Sequence, residues 1–504
     1  MTFLLVLVAF VILGWGYYRA QPAGQIGVLV WLQSVVLMGP WLLFFGLLSL
    51  GITFNLASVL FWIVVSISLY IILGKRLRQI ANQESNHSRS VPPPDSPETP
   101  MENTSASIAP PSSSHTPAES LPSIPELPLK NLVPPPVPAA DLKVIQGLFG
   151  IDTFFATETV PYQDGVIVQG NLRGDAAVVH AQLTQQLETL LPEQYRLFLL
   201  SNTEGKPIVI VLPRRNDPKP GGWTQNLLAV ILSIATFTSC LITGGFLLSF
   251  NLLDHPERFL DALPIGIGLM SVLAVHEGGH RFLAQRYQVK LSWPFSFPAL
   301  QIGSFGIFNR FESLLPHRQS LFDIALAGPA AGGLFALILL IIGFLLSPSI
   351  PVLPLDITFL RSSILVGTLA HLFLGEALQT SPVLVHPLVG VGWIGLVITA
   401  LNLMPAGSLD GGRIIQAIYG RQIARRATWI TMILLAIIAL ANSIALYWAI
   451  IILFLQRDLE RPSLDELTEP DDTRALLGLV ALFLMVAILM PLAPGLASRI
   501  GIGA

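Results

Sequence analysis

The stretch Leu273-Ala274-Val275-His276-Glu277-Gly278-Gly279-His280-Arg281 decides how the rest of the chain is read. It carries His276, Glu277 and His280 in H-E-x-x-H spacing, at the end of an apolar run that begins near Leu263. On a helix, residues i and i+4 share a face, so His276 and His280 can turn ring nitrogens toward one metal ion. Glu277 projects about 100° further round, close to such a metal yet free to act on water. That is the arrangement expected for metal-assisted peptide hydrolysis. The opposing reading is a pair of ordinary polar histidines. The setting argues against it, because a His-Glu-His cluster beside an apolar run of membrane length is costly in hydrocarbon without a partner.

Composition narrows the class. The 504 residues are 52% hydrophobic and 12% charged, whereas soluble domains carry roughly 25% charge. An integral membrane protein is expected, not a soluble enzyme with one anchor. The net charge of −3 and the lack of a basic face give no sign of a nucleic-acid partner, and there is no P-loop for a nucleotide. The one cysteine, Cys240, lies inside an apolar run. An internal disulfide and a cysteine-based zinc site are thereby excluded, and a bound zinc must take its ligands from His, Asp or Glu.

Working outward toward the N-terminus, the 263–287 span carries Arg281 and Arg286 at its end, with Lys290 just beyond. These basic residues mark the cytoplasmic side. The loop 254–261 holds three acids and one Arg and is assigned outside, and Leu227–Leu253 is the preceding span. Residues 142–214 read as a small soluble α/β domain. Its expected strands are Val166–Gln169, Arg196–Leu200 and Ile208–Leu212, and its helix Asp175–Leu191. Gly170-Asn171-Leu172-Arg173-Gly174 reads as a turn between strand and helix, with anion binding by Arg173 as the competing use. Residues 81–141, rich in Pro, Ser, Thr and Glu, read as a disordered or polyproline linker. Residues 2–18 and the uncharged run 20–73 give three N-terminal spans, closed by Lys75, Arg76 and Arg78.

Beyond the motif, residues 291–312 are apolar but broken by Pro294, Pro298, Gly303 and Gly306. A hairpin or re-entrant segment near the metal is expected, since irregular backbone at membrane depth is tolerated where it lines a cavity. The Gly- and Ala-rich stretch Asp323–Gly333 opens a span to about Leu346 and implies close approach of another helix. His371, Glu376 and His386, in the outer stretch that follows, read as ordinary polar residues. The span 383–405 ends in Asn402-Leu403-Met404-Pro405-Ala406-Gly407-Ser408-Leu409-Asp410-Gly411-Gly412-Arg413, where Pro and Gly break the helix. Residues 427–455, with a break near Asn442-Ser443, and 475–496 complete the apolar segments, separated by the charged loop 456–474.

This topology brings the inner ends of the 263–287 and 383–405 spans to one face. A zinc held by two His needs a third protein ligand and an open position. The acids at that depth are Asp323, Asp410 and Glu312. Asp410 follows a helix break, and a capping role competes with a ligand role there.

His276-Glu277-Gly278-Gly279-His280 together with Asn402-x-x-Pro405-x-x-x-x-Asp410-Gly411 resembles the site-2 protease family of intramembrane zinc metalloproteases. With Gly170-Asn171-Leu172-Arg173, Gly303-Ser304-Phe305-Gly306 and Asp323-Ile324-Ala325-Leu326-Ala327-Gly328-Pro329, the chain is similar to the EGY branch of chloroplasts and cyanobacteria, over roughly residues 142–496. The resemblance implies that His276, His280 and Asp410 hold one catalytic Zn2+. It implies that Glu277 deprotonates the attacking water and later protonates the leaving amine. It also suggests that Asn402 donates to the substrate carbonyl or the oxyanion. Gly278-Gly279 departs from the bulkier residue often found at the first x, and leaves room for a substrate backbone.

The architecture expected is a polytopic α-helical membrane protein. Three N-terminal helices (1–80) and a linker (81–141) precede a small soluble α/β domain (142–220), inserted ahead of the catalytic membrane core (221–504). The function expected is an intramembrane zinc endopeptidase cutting transmembrane protein substrates within the lipid bilayer, plasma or thylakoid. The soluble domain and the active site face the cytoplasmic side. The alternative is a non-proteolytic membrane protein, a transporter or chaperone, with a structural metal. Glu277 discriminates, because a structural site has no need of it.

Overall fold

The structure, a computed structural model, describes residues 137–492 apart from 163, 203, 351, 380, 381 and 441. Ahead of these it describes the helix Gly24–Ser49 and a few residues around it. The chain divides into two compact units, Met1–Pro122 and Ser123–Ala504. In the first, helix α1 (Gly24–Ser49) carries no charged residue, and its Trp31 indole N–H donates to the Leu13 carbonyl at 3.0 Å. Most of the expected span 2–18, most of 50–73 and the linker up to residue 136 fall outside the described residues.

In the second unit a short helix, α2 (Ala139–Gly147), leads into an antiparallel sheet of four strands: β1 (Phe154–Tyr162), β2 (Gly165–Leu172), β3 (Tyr195–Ser201) and β4 (Pro207–Pro213). The strand order is β1-β2-β4-β3. Helix α3 (Ala176–Leu190) covers one face. Asp175 starts it by accepting the backbone N–H groups of Ala177 and Val178, which leaves fewer orphan donors in the first turn. Val179, Leu183 and Leu187, four apart, then point at the sheet. They meet alternate residues of the strands, Val166 and Val168, Leu197 and Leu199, Val209 and Val211. Strand β1 is an addition to the expected three. The Gly170–Gly174 segment proves to be the end of β2 and the turn into α3. A Cβ at Gly170 would stand 2.2 Å from the Phe155 carbonyl of the neighbouring strand, so β1 admits no side chain there; Arg173 is exposed.

Four helices are long and apolar enough to cross a membrane, by length and composition, among the described residues. They are α4 (Trp223–Leu247), α5 (Phe259–Arg286, with one 3₁₀ turn before it), α6 (Arg318–Leu346) and, last in the chain, α12 (Asp472–Leu489). Between α5 and α6 lies a two-stranded hairpin, β5 (Phe295–Ala299) and β6 (Gly303–Phe308). After α6, β7 (Leu353–Leu355), helices α7 (Ile357–Arg361) and α8 (Ile364–Leu374), and β8 (Val383–Val385) close the far end, with β7 paired to β8.

Helix α9 (Pro387–Asn402) packs against α5, α6 and α12 and is buried along most of its length. A helix apolar all round belongs at the centre of such a bundle. It stops at Asn402, and after a turn through Pro405 and Gly407 the chain re-enters helix at α10 (Asp410–Ile438). Asn442 then caps α11 (Ser443–Ile451), which runs on as a π turn to Gln456.

The loop 457–471, legible only as charged in the sequence, is a strap between the two parts of this unit. Leu199 of β3 donates its N–H to the Leu464 carbonyl at 2.8 Å and accepts from Glu466 N–H at 3.0 Å. On the other side, Leu464 and Asp465 donate to the Leu315 and Pro316 carbonyls, at 2.9 and 3.0 Å. The four-stranded sheet is thereby stitched to the residues that open α6.

Candidate active site

Helix α5 supplies His276, Glu277 and His280 on one buried face, 4%, 6% and 1% exposed. Helix α6 presses against that face because its Gly328 and Gly332 lack side chains. A Cβ at Gly328 would lie 2.1 Å from His280 Nε2, and one at Gly332 2.7 Å from His276 Cβ. The four-residue spacing of these glycines matches the four-residue spacing of the histidines. The same approach lets His280 Nδ1–H donate to the Ile324 carbonyl at 2.7 Å. A carbonyl can only accept, so the proton sits on Nδ1 and Nε2 carries a free lone pair.

That lone pair faces two others. His276 Nε2 stands 3.1 Å from His280 Nε2, and the Asp410 carboxylate meets both, with Oδ2 at 3.2 Å from His276 Nε2 and Oδ1 at 3.4 Å from His280 Nε2. Leu409 is the N-cap of α10 and makes no side-chain cap bond, and Asp410 is the first helical residue. Its side chain is therefore free of the capping role and turns inward. The donor atoms of His276, His280 and Asp410 all lie within 4.8 Å of one another, and no other such trio is found among the described residues.

The two other acids considered at this depth have partners elsewhere. Asp323 pairs with Arg474, at 2.7 and 2.8 Å, and accepts from Tyr287. Glu312 accepts from Gly221 N–H at 2.7 Å.

The cluster suits a zinc ion. Two imidazoles and one carboxylate are a zinc donor set that keeps a coordination position open. The buried Asp410 Oδ2 has no aligned hydrogen-bond partner, although His276 Nε2 is within ion-pair distance. Converging acceptors of this kind, buried and short of donors, are what a cation satisfies.

Glu277 sits beside the trio with its two oxygens in different states. Oε2 accepts from Asn309 Nδ2 at 3.0 Å. Oε1 faces Arg281 Nε at 2.7 Å but has no aligned hydrogen-bond partner. Asn402, 1% exposed, ends α9 with Nδ2 donating to the Ile398 carbonyl at 2.8 Å and the Phe305 carbonyl at 3.2 Å. Its amide lies where a Cβ of Gly306 would be, 2.2 Å from Nδ2. Hairpin and α9 thus meet at Asn402. A cavity of about 550 Å³ lies beside Asn309, the partner of Glu277, lined by Phe297, Phe308, Asn309, Leu232, Leu455 and Glu460 among others.

Asn309, Arg413 and Glu460 were not marked by the sequence reading. Arg413 stands three residues after Asp410, which was its one sequence signal. Asn309 and Glu460 come from a hairpin end and a loop with no motif spacing.

An H-E-x-x-H helix with an aspartate brought in from a second broken helix defines a metallopeptidase-type centre in an apolar helical bundle. Residues 265–441 match peptidase family M50, and residues 143–219 match the EGY3 middle domain. Among curated proteins, the chain is 37% identical over 363 residues to "Probable zinc metalloprotease EGY2, chloroplastic" of Arabidopsis thaliana, covering 70% of this chain and 65% of that protein. It is 34% identical over 414 residues to "Probable zinc metalloprotease EGY1, chloroplastic" of the same plant, covering 74% and 75%. It is 31% identical over 369 residues to "Probable zinc metallopeptidase EGY3, chloroplastic", covering 68% and 64%. The chain spans 65 to 67% of the length of the EGY2 relatives it matches. No solved structure matches it. The chain belongs to peptidase family M50, the site-2 proteases, and within it to the EGY branch of zinc metalloproteases.

Proposed function

We propose that the chain is a multi-pass membrane protein and an intramembrane zinc endopeptidase, hydrolysing peptide bonds in or near transmembrane segments of other proteins. One observation carries this: a buried His276–His280–Asp410 cluster with the Glu277 carboxylate beside it, inside a bundle of membrane-length apolar helices. His276, His280 and Asp410 hold the zinc. When bound there, a zinc ion supplies Lewis acidity that polarises a peptide carbonyl and acidifies water.

Glu277 does the proton work. Its Oε1, short of a hydrogen-bond partner, takes a proton from water as the water oxygen adds to the scissile carbonyl carbon. The same carboxyl then gives the proton to the amide nitrogen as the C–N bond breaks. Asn402 can donate to the substrate carbonyl once its longer bond, to Phe305, is exchanged for one to the substrate.

A closed substrate helix hides its carbonyls within its own hydrogen bonds, so the substrate must unwind before it is cut. Strands β5 and β6 pair only with each other as named strands, and an extended segment can add to such an edge. Basic residues at the inner end of α5, Arg281 and Arg286, and just after the Gly420 kink within α10, Arg421 and Arg425, orient the site and the soluble domain toward the cytoplasmic side.

The test is cleavage of a panel of single-span membrane proteins by the purified protein in detergent, with cut sites mapped by mass spectrometry. Cuts inside or bordering the apolar span, lost on chelation and regained with zinc, are expected. Cuts confined to soluble segments, or indifferent to chelation, would contradict the reading.

A further inference from the structure

Behind the site lies a chain of buried polar contacts with no assigned role. Arg413 is 3% exposed and Asn309 4%. The Arg413 guanidinium donates through Nη1 to Asn309 Oδ1 at 3.0 Å and through Nη2 to the Asn309 carbonyl at 2.7 Å. From the other side Glu460 Oε1 accepts from Arg413 Nε at 2.9 Å and Nη2 at 2.5 Å. The guanidinium also lies over the Phe311 ring, 4.9 Å from its centroid, and its Nη1 is 3.7 Å from Asp410 Oδ1.

A guanidinium has donors only, so whatever faces Nη1 must be an acceptor. This fixes the Asn309 amide with Oδ1 toward Arg413 and the NH2 group outward. The NH2 group is then aimed at Glu277 Oε2, at 3.0 Å. We infer that Asn309 is a positioning residue for the general base, oriented by Arg413 and Glu460. It occupies Oε2 of Glu277 and thereby fixes the carboxylate, leaving Oε1, which faces Arg281 Nε at 2.7 Å, as the oxygen without an aligned hydrogen bond. The inference rests on the peptidase reading for the role of Glu277, but the orientation it assigns is a property of the chain alone.

The network draws on four separated segments: α5, the end of the hairpin, α10 and the strap. A residue needed only to fill space would not require a donor at Asn309 and a fork of acceptors around Arg413. Buried polar networks whose members are all satisfied hold one geometry at high cost to alternatives. A displacement of about 1 Å in a reacting group costs on the order of 100-fold in rate.

The decisive variant is Asn309→Asp. It keeps the size of the side chain and the acceptor for Arg413, and replaces the donor to Glu277 with a carboxylate oxygen that repels it. The measurements are kcat and KM on a substrate from the panel, zinc per chain, and the Glu277 conformation in an experimental structure of the variant. The expected result is kcat lower by about 10- to 100-fold, KM and zinc content within twofold of wild type, and the Glu277 carboxylate swung from its present position. Arg413→Gln gives the same split, and Arg413→Lys, a point charge unable to reach both Asn309 and Glu460, falls between. Wild-type kcat in Asn309→Asp overturns the inference. So does a loss of kcat accompanied by loss of zinc, which marks a collapsed site. If the wild-type protein cuts nothing, the peptidase reading fails and the structural arm still decides: a Glu277 carboxylate unmoved in Asn309→Asp overturns the positioning role.

Discussion

His276 and His280 can converge on one point only because α6 offers them glycines. The Gly328 position is the most exacting, since a methyl group there would stand 2.1 Å from His280 Nε2. Gly328→Ala is expected to push the imidazole off its Ile324 bond, and zinc per chain should fall well below one in the purified variant. Retention of a full zinc equivalent would show that α6 can yield. Gly279 has a similar packing reason, with the Ala327 carbonyl 2.4 Å from its would-be Cβ, whereas Gly278 has nothing within 4 Å. Of the two glycines that set this motif apart, one is explained by helix packing and one faces open space beside the site. The histidines and the glutamate were legible in the sequence because their geometry is local, one turn of one helix. Asn309, Arg413 and Glu460 were not, because they meet only through tertiary contacts between segments 47 to 104 residues apart.

At the scale of elements, the β5–β6 hairpin packs along α4 and has a tight seat on α9 at Gly306. Gly306 has φ +116, and its would-be Cβ overlaps the Asn402 amide. Only glycine combines that backbone with that approach. Gly306→Ala is expected to cost about 1–3 kcal/mol and to detach the hairpin from Asn402, read as a lower thermal midpoint together with impaired cleavage. The sequence pointed to a hairpin here because Pro and Gly interrupt the apolar run. It could not show the seat on Asn402, almost a hundred residues away.

The domain of β1–β4 and α3 has its own fastening. Asp164, in the β1–β2 turn, accepts from Arg215 at 3.0 and 3.1 Å and from Asn216 at 3.1 Å. Burial pushes its carboxyl up, but these hydrogen bonds outweigh burial and hold it below the usual aspartate range. A depressed carboxyl contributes stability above its unfolded value and loses it as pH falls through the folded value. The domain should therefore weaken below about pH 4. Asp164→Asn should be less stable near neutrality and flatter in its acid response, as read by thermal unfolding across pH. An unchanged acid slope in that variant would remove Asp164 from the account.

For the whole molecule, the strap 457–471 connects what the sequence presented as separate parts. Its backbone pairs with Leu199 of the four-stranded sheet and with Leu315 and Pro316 ahead of α6, and Glu460 reaches Arg413 behind the site. The alternation of apolar runs and charged loops made the order of parts readable. It gave no sign that one charged loop is the seam between them, since isolated backbone bridges leave no period in a sequence. The third ligand was narrowed by the same global view: Asp323 and Glu312 have partners of their own, and Asp410 alone of the three joins the histidines.

On the proposed reading, Glu277 moves protons at a zinc site held by His276, His280 and Asp410. The most direct test sets wild type beside Glu277→Gln, measuring cleavage of one single-span substrate and zinc per chain in the same preparations. One zinc is expected in each protein, with cleavage in the variant lower by about 100- to 10,000-fold. A variant that holds zinc and still cuts at the wild-type rate would contradict that reading.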